Sequence, residues 1–318
     1  MAPGNVSGPR KGATALEVLE GVDLRGKSIL ITGGNQGIGF ETARALVLKD
    51  AHVTIACRNI PAGEAAKTTI AKEKPGAKIT LIQLDLTDLT SVEACAQRFI
   101  DSGLPLHVLI LNAGVYNPNS RVTDAGFETT FQVNHLAQFY LTKLLTDCLT
   151  SSAPSRVVVV SSDAYRMVRS LTPRQVTWEK FSPTHENNVN SALKAYGLSK
   201  FANVLFAAEL NRRLSPMGVT AYSLHPGVVD TAISRNTQLI QTFMCCCGCT
   251  TDSVEAGAAT SVYVATTPEL AQTHAGEYFR YCHPQHLTAP ASNAENAAKL
   301  WALSEEMMDH YFTTGNGE

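Results

Sequence analysis

Apolar positions along the chain fall into two alternating rhythms. Short, nearly continuous apolar runs at Ser28–Thr32, His52–Ala56, Lys78–Leu84, His107–Leu111, Arg156–Ser161, Thr220–Leu224 and Glu277–Tyr281 read as strands. Between them, apolar residues recur at helical spacing near Gly37–Lys49, Pro61–Glu73, Ser91–Ser102, Phe127–Thr150 and Ala192–Leu214. A strand that is apolar on every residue is buried on both faces. Such strands alternating with helices therefore predict an α/β fold with one parallel, doubly wound sheet and helices on both sides. No composition break divides residues 22–318, which read as one domain ending in a helix near Ala291–Tyr311. Residues 1–21, with their Gly and Pro, read as a flexible N-terminal tail.

Charge and composition narrow the range of functions. With 26 Lys and Arg against 28 Asp and Glu, the net charge is -2, too little field to hold nucleic acid or an anionic membrane. No apolar run approaches the ~20 residues of a spanning helix, so no transmembrane segment is expected. The first residues, "MAPGNVSGPRKGATA", hold neither an apolar leader core nor a Gly after Met1. The Asn5-Val6-Ser7 sequon then has no secretory context. Eight cysteines in a chain of 318 residues do not make a small-scaffold disulfide framework, and a cytoplasmic location is expected.

The stretch "KSILITGGNQGIGFETARALV" adds chemistry to this frame. Its glycines lie between the first strand and the first long helix, where backbone N–H groups and the helix dipole face the carboxyl ends of the strands and receive phosphate. The spacing Gly33-x-x-x-Gly37-x-Gly39 differs from G-x-G-x-x-G but meets the same demands, a tight turn and close approach. Later, Tyr196 and Lys200 stand four apart on a helix and share a face. A free tyrosine has a pKa near ~10, and a neighbouring ammonium favours its phenolate, which predicts a lowered pKa for Tyr196.

"TGGNQGIG", "DL" at Asp85–Leu86, "NAG" at Asn112–Gly114, "VN" at Val133–Asn134, "VSS" at Val160–Ser162, "YGLSK" at Tyr196–Lys200 and "HPGVVDT" at His225–Thr231 follow one another in the order found in short-chain dehydrogenases/reductases. The chain resembles that family from about Val22 to Tyr281, which implies a Rossmann-type fold. Within the family, "FETTFQVNHLAQFYL" and "ENAAKLWALSEEM" are similar to the retinol dehydrogenases and to the oxidoreductase domain of WW domain-containing oxidoreductases. WW modules are not expected here, because the only tryptophans are Trp178 and Trp301.

The resemblance implies a catalytic set. Tyr196 is the general acid/base, Lys200 tunes it and bonds the nicotinamide ribose, Ser162 holds the substrate oxygen, and Asn134 holds a water that links Lys200 to solvent. Ser161 is the structural member of its pair. The resemblance also implies a cofactor on the turn at Gly33, Asn35, Gln36, Gly37, Ile38 and Gly39, with Asp85 and Leu86 by the adenine and Asn112, Ala113 and Gly114 along the groove. Pro226, Gly227, Val229 and Thr231 belong to the carboxamide end. After the second strand, Cys57 stands where NAD-preferring members carry an acid, and Arg58 follows. A guanidinium there suits a 2′-phosphate, so NADP(H) is expected.

The partner implied is a small lipophilic alcohol or carbonyl of the retinoid, steroid or lipid aldehyde class. The segment from Ser162 to Tyr196 is longer than in compact members, as in the retinol dehydrogenase branch, so compact members do not define the substrate. Leu239, Ile240, Phe243 and Met244 read as an apolar substrate wall, with an ordinary surface helix as the alternative. Cys245, Cys246, Cys247 and Cys249, with Cys282, His283 and His286, lack paired C-x-x-C spacing, and no metal is expected. Lipidation of the cysteine cluster, and with it peripheral membrane contact, stays open, as does the oligomeric state. A second function class also stays open, a nucleotide-binding scaffold or redox sensor acting through protein partners.

Overall fold

The computed structural model describes residues 8–116, 122–183, 189–229 and 252–314. Its frame is one eight-stranded sheet in the order β3-β2-β1-β4-β5-β6-β7-β8. The strands are β1 (Ser28–Thr32), β2 (His52–Cys57), β3 (Ile79–Gln83), β4 (Val108–Leu111), β5 (Ser155–Val160), β6 (Val219–His225), β7 (Tyr278–Arg280) and β8 (His283–Gln285). All neighbours are parallel except the hairpin β7–β8, and the register pairs Ile29 with Val108 and His225 with Arg280. Chain order reverses between β1 and β4. A crevice for a ligand opens there, beyond the carboxyl ends of the strands.

Helices cover both faces because the strands bury both. On one side, α1 (Ala15–Val18), α2 (Gly37–Leu48), α3 (Ile60–Glu73) and α10 (Val254–Thr266) pack over Ile29, Ile31, Val53 and Ile110. On the other, α4 (Leu89–Asp101), α6 (Ala137–Leu144), α9 (Val189–Leu214) and α12 (Ala294–Thr314) pack over Leu30, Leu109, Val157 and Val159. The starts of these helices are written locally. Asn59 accepts the Ala62 N–H at 3.0 Å ahead of Pro61, and Asp88 accepts the Thr90 N–H at 2.9 Å. The shorter helices are α5 (Thr129–Phe131), α7 (Thr146–Ser151), α8 (Trp178–Phe181) and α11 (Leu270–Thr273).

Two departures from the sequence reading have physical causes. Residues read as a flexible tail include α1, where Thr14 and Glu17 form a reciprocal capping box and Ala15 and Leu19 are fully buried. Two buried apolar residues and a closed cap outweigh the neighbouring Gly and Pro. The single helix read over Phe127–Thr150 is broken by a π-helical turn at Gln132–Leu136. The described part of the long segment after Ser162, up to residue 183, packs on the core, with Trp178 stacked on Phe127 at 5.4 Å and Asn296 of α12 donating to the Leu171 carbonyl at 3.2 Å.

Candidate active site

The glycine turn follows β1 directly, and Gly33 takes a positive φ of 68°. A Cβ on Gly39 would fall 2.3 Å from the Gly33 carbonyl oxygen and 2.4 Å from Asn112 Nδ2, so only glycine lets α2 start this close. The first helical amides of α2 face the crevice, and no described side chain caps them. Gln36 at the N-cap makes no side-chain cap hydrogen bond. The opposite wall is locked by Thr32, which opens the glycine motif, and by Gln138, which no motif singled out. Thr32 Oγ1 accepts the N–H groups of Asn112 and Ala113, both at 3.0 Å, and donates to Gln138 Oε1 at 2.9 Å. Gln138 in turn donates to the Ala113 carbonyl at 3.0 Å. Gln138 lies in mid-helix, a position that carries no pattern a single sequence reveals.

At the far end of the crevice, Arg58 is exposed and makes no ion pair with any described residue. Cys57 turns inward. Its thiol is buried beside Gly63 and bonded to the Asn59 carbonyl at 3.5 Å, and burial raises its pKa. Asp85 is held in place by the N–H and hydroxyl of Thr87 at 2.9 and 2.7 Å. Leu86 packs its side chain in the core, and its carbonyl accepts from Gln132 Nε2 at 3.1 Å.

Ser162, Tyr196 and Lys200, three residues of the expected catalytic set, come together beyond β5. Ser161 and Ser162 make different contacts. Ser161 is buried and donates to the Lys200 carbonyl at 2.6 Å, which ties strand to helix. Ser162 caps a 3-10 turn, Asp163–Met167, and its hydroxyl is hydrogen-bonded to Tyr196. Tyr116 sets its ring against Tyr196 edge-on, with centroids 5.9 Å apart. Lys200 is buried, donates to the Val160 carbonyl at 2.9 Å and lies 5.8 Å from the Tyr196 ring centre. Burial brings its pKa down to about 8.

Two details correct the sequence reading. The Tyr196 phenol is held above its ordinary pKa by burial, and the Ser162 hydrogen bond pulls it down only in part. The expected lowering by Lys200 is absent because the ammonium faces a carbonyl. Asn134 also differs. Its side chain accepts the Val115 N–H at 2.7 Å and donates to the Val115 carbonyl and Ser199 Oγ at 3.0 and 2.9 Å. The π turn swings this amide out of the helix, where it fastens the loop after β4 to α9.

After β6, Pro226, Gly227 and Val229 run along the crevice, and Val229 forms an isolated bridge with Asp252. Thr231, the apolar wall of Leu239, Ile240, Phe243 and Met244, and Cys245–Cys249 lie outside the described residues. Asp163, beside Ser162, is a further residue the motifs did not single out. It accepts the Tyr278 hydroxyl and pairs with Arg280, both at 3.0 Å. His225 is buried near it, and burial lowers its pKa to about 4.

These features fit a nicotinamide dinucleotide. Helix amides and an arginine that no described side chain caps or pairs offer donors for phosphate, and at Gly114 a side chain would press within 3.3 Å of Lys200 Nζ. Comparison with known proteins agrees. The short chain dehydrogenase family profile matches residues 27–173. The WW domain-containing oxidoreductase of Gallus gallus is 43% identical over 298 residues, covering 93% of this chain and 71% of that protein. Retinol dehydrogenase 12 of Mus musculus is 40% identical over 288 residues, covering 90% of this chain and 88% of that protein. A crystal structure of an uncharacterized protein from Mycobacterium paratuberculosis superposes with a TM-score of 0.70 at 29% identity, over 95% of this chain and 98% of that one.

Proposed function

The chain belongs to the short-chain dehydrogenase/reductase family, an oxidoreductase family that uses nicotinamide dinucleotides, and we propose that it is an NADP(H)-dependent enzyme interconverting an alcohol and a carbonyl on a lipophilic substrate. The observation that carries this reading is the convergence of Tyr196, Ser162 and Lys200 on one point beyond β5. Bound there, the nicotinamide supplies or accepts the hydride.

The protein supplies proton and charge management. Ser162 donates a hydrogen bond to the substrate oxygen and stabilises the charge that gathers on it. Tyr196 delivers its phenolic proton to that oxygen in reduction and recovers it in oxidation. In the chain alone the phenol is a weak acid because it is buried. Lys200, whose pKa burial brings down to about 8, is placed to turn its ammonium toward the ribose and the phenolate once the crevice is filled. Asn134 holds the Val115 loop and α9 in register, which makes it a positioning residue in this scheme.

Arg58 supports NADP(H) over NAD(H), since at the end of β2 it makes no ion pair among the described residues and Cys57, not an acid, precedes it. Substrate class rests on the retinol dehydrogenases among the relatives and on apolar surface beside the site, where Met167 and Leu193 are exposed. The test is turnover of an aldehyde panel, from short to long and apolar, with NADPH and with NADH. Reduction of the long members with NADPH is expected. Nucleotide binding without any turnover would instead favour a scaffold.

A further inference from the structure

β7 and β8 are joined by two residues, Tyr281 and Cys282, between the paired Arg280 and His283. Both have positive φ, 50° and 62°. A turn of this kind takes Asn and Gly readily, because in the left-handed region a Cβ crowds the following carbonyl. A tyrosine there is strained, and such strain persists where the surroundings over-determine it. The surroundings do so here. Cys282 is buried with its N–H on Thr260 Oγ1 at 3.2 Å, and the Tyr281 ring lies 5.0 Å from the Lys11 ammonium and 4.9 Å from the Arg280 guanidinium.

What the strained residue holds is a carboxylate. The Tyr281 hydroxyl donates to Asp252 Oδ2 at 3.2 Å, and the same oxygen accepts the Val228 N–H at 3.2 Å. Asp252 N–H donates back to the Val228 carbonyl at 2.7 Å. Gly227 has φ 96°, and a Cβ on it would fall 2.4 Å from Asp252 Oδ2. The glycine is therefore what admits the carboxylate.

We propose that Tyr281 is a positioning residue whose strained backbone places its hydroxyl on Asp252, so that Asp252 fixes the Gly227–Val229 backbone at the nicotinamide end of the crevice. The clamp stands on these contacts alone, and its effect on cofactor rests on the function proposed above. The test uses the full chain with Tyr281→Phe, which keeps ring and turn and removes the hydroxyl, and Tyr281→Asn, which suits the turn and removes both ring and hydroxyl. Amide exchange across 226–229 is read without cofactor, NADPH affinity by fluorescence titration, and Tm by melting. In both variants the Val228 amide is expected to exchange about five-fold faster and NADPH to bind about five-fold more weakly. Tyr281→Asn should melt no lower than Tyr281→Phe, since relief of strain offsets the lost ring contacts.

Wild-type exchange at Val228 in Tyr281→Phe would overturn the clamp, and a much lower Tm for Tyr281→Asn would overturn the strain. Faster exchange with unchanged NADPH affinity would overturn the link to the cofactor. A wild-type protein that binds no NADPH, beside a Tyr281→Phe variant that still exchanges faster, would leave the clamp in place and refute the functional reading instead.

Discussion

Lys200 stands 5.8 Å from the centre of the Tyr196 ring, yet its ammonium donates to the carbonyl of Val160 at 2.9 Å. The two residues share a helix face as their spacing requires, but the protein alone leaves the cation turned toward the end of β5. A four-residue spacing places the two on one face but does not show their burial, which raises the phenol's pKa and lowers that of the ammonium.

A buried ammonium has a signature in stability. With a folded pKa of about 8 against 10.5 for the free side chain, the folded state is penalised while Lys200 is charged. Above about pH 8 the unfolded chain keeps a proton that the folded chain releases, so this group adds stability as pH rises toward 10.5. Denaturant unfolding at two pH values, one below and one above that midpoint, should show this gain in wild type and not in Lys200→Met. The Met variant should also be the more stable protein at neutral pH and inactive. A difference between the two proteins that does not change with pH would refute this.

The opposite limb belongs to a histidine. His135 is fully buried, donates from Nε2 to Ser304 Oγ at 3.0 Å, and burial lowers its pKa to about 3. Below the ordinary histidine range the unfolded chain gains a proton that the folded chain refuses. Stability is therefore lost as pH falls, with a slope of about 1.4 kcal/mol per pH unit for each such group. His225 contributes a second proton by the same route. His135→Phe should remove about 1.4 kcal/mol per pH unit from the slope between about pH 6 and pH 5, measured by urea unfolding. An unchanged slope would assign the acid sensitivity elsewhere.

How far the sequence reached depends on the kind of contact. Strand limits agreed to within about a residue, because a run such as Val157–Val160 is buried on both faces and leaves no other assignment. The glycine turn, Ser162, Tyr196 and Lys200 were legible because each belongs to an ordered motif. Gln138, Asp163 and Asp252 were not. They act through partners 24 to 117 residues away, and no local pattern announces such a pairing. The π turn at Asn134 was hidden for a related reason, since one extra residue in a helix leaves the apolar rhythm of Phe127–Thr150 almost unchanged.

Gly39→Ala tests the turn itself. The added methyl meets the Gly33 carbonyl and the Asn112 amide, neither of which yields without moving β1 or β4. A loss of about 1–3 kcal/mol of stability is expected from overpacking, with a fall in NADPH affinity that exceeds it. Calorimetry and cofactor titration on one preparation separate the two, and full retention of NADPH binding would contradict a cofactor role for this turn.

Cofactor choice is tested by Arg58→Ala. An exposed guanidinium with no ion pair among the described residues is free to meet a 2′-phosphate, and its loss should weaken NADPH by about ten-fold or more while leaving NADH nearly unchanged. Equal losses for the two nucleotides would remove Arg58 from phosphate recognition.

The most direct measurement of the central claim is single-turnover hydride transfer from deuterated NADPH to a long apolar aldehyde, compared between wild type and Tyr196→Phe. The wild type should form the deuterated alcohol. The variant should bind NADPH with near-native affinity and transfer hydride about 100-fold more slowly or worse, the share a positioned general acid contributes. Equal rates in the two proteins, or no transfer by the wild type to any aldehyde of the panel, would contradict the account.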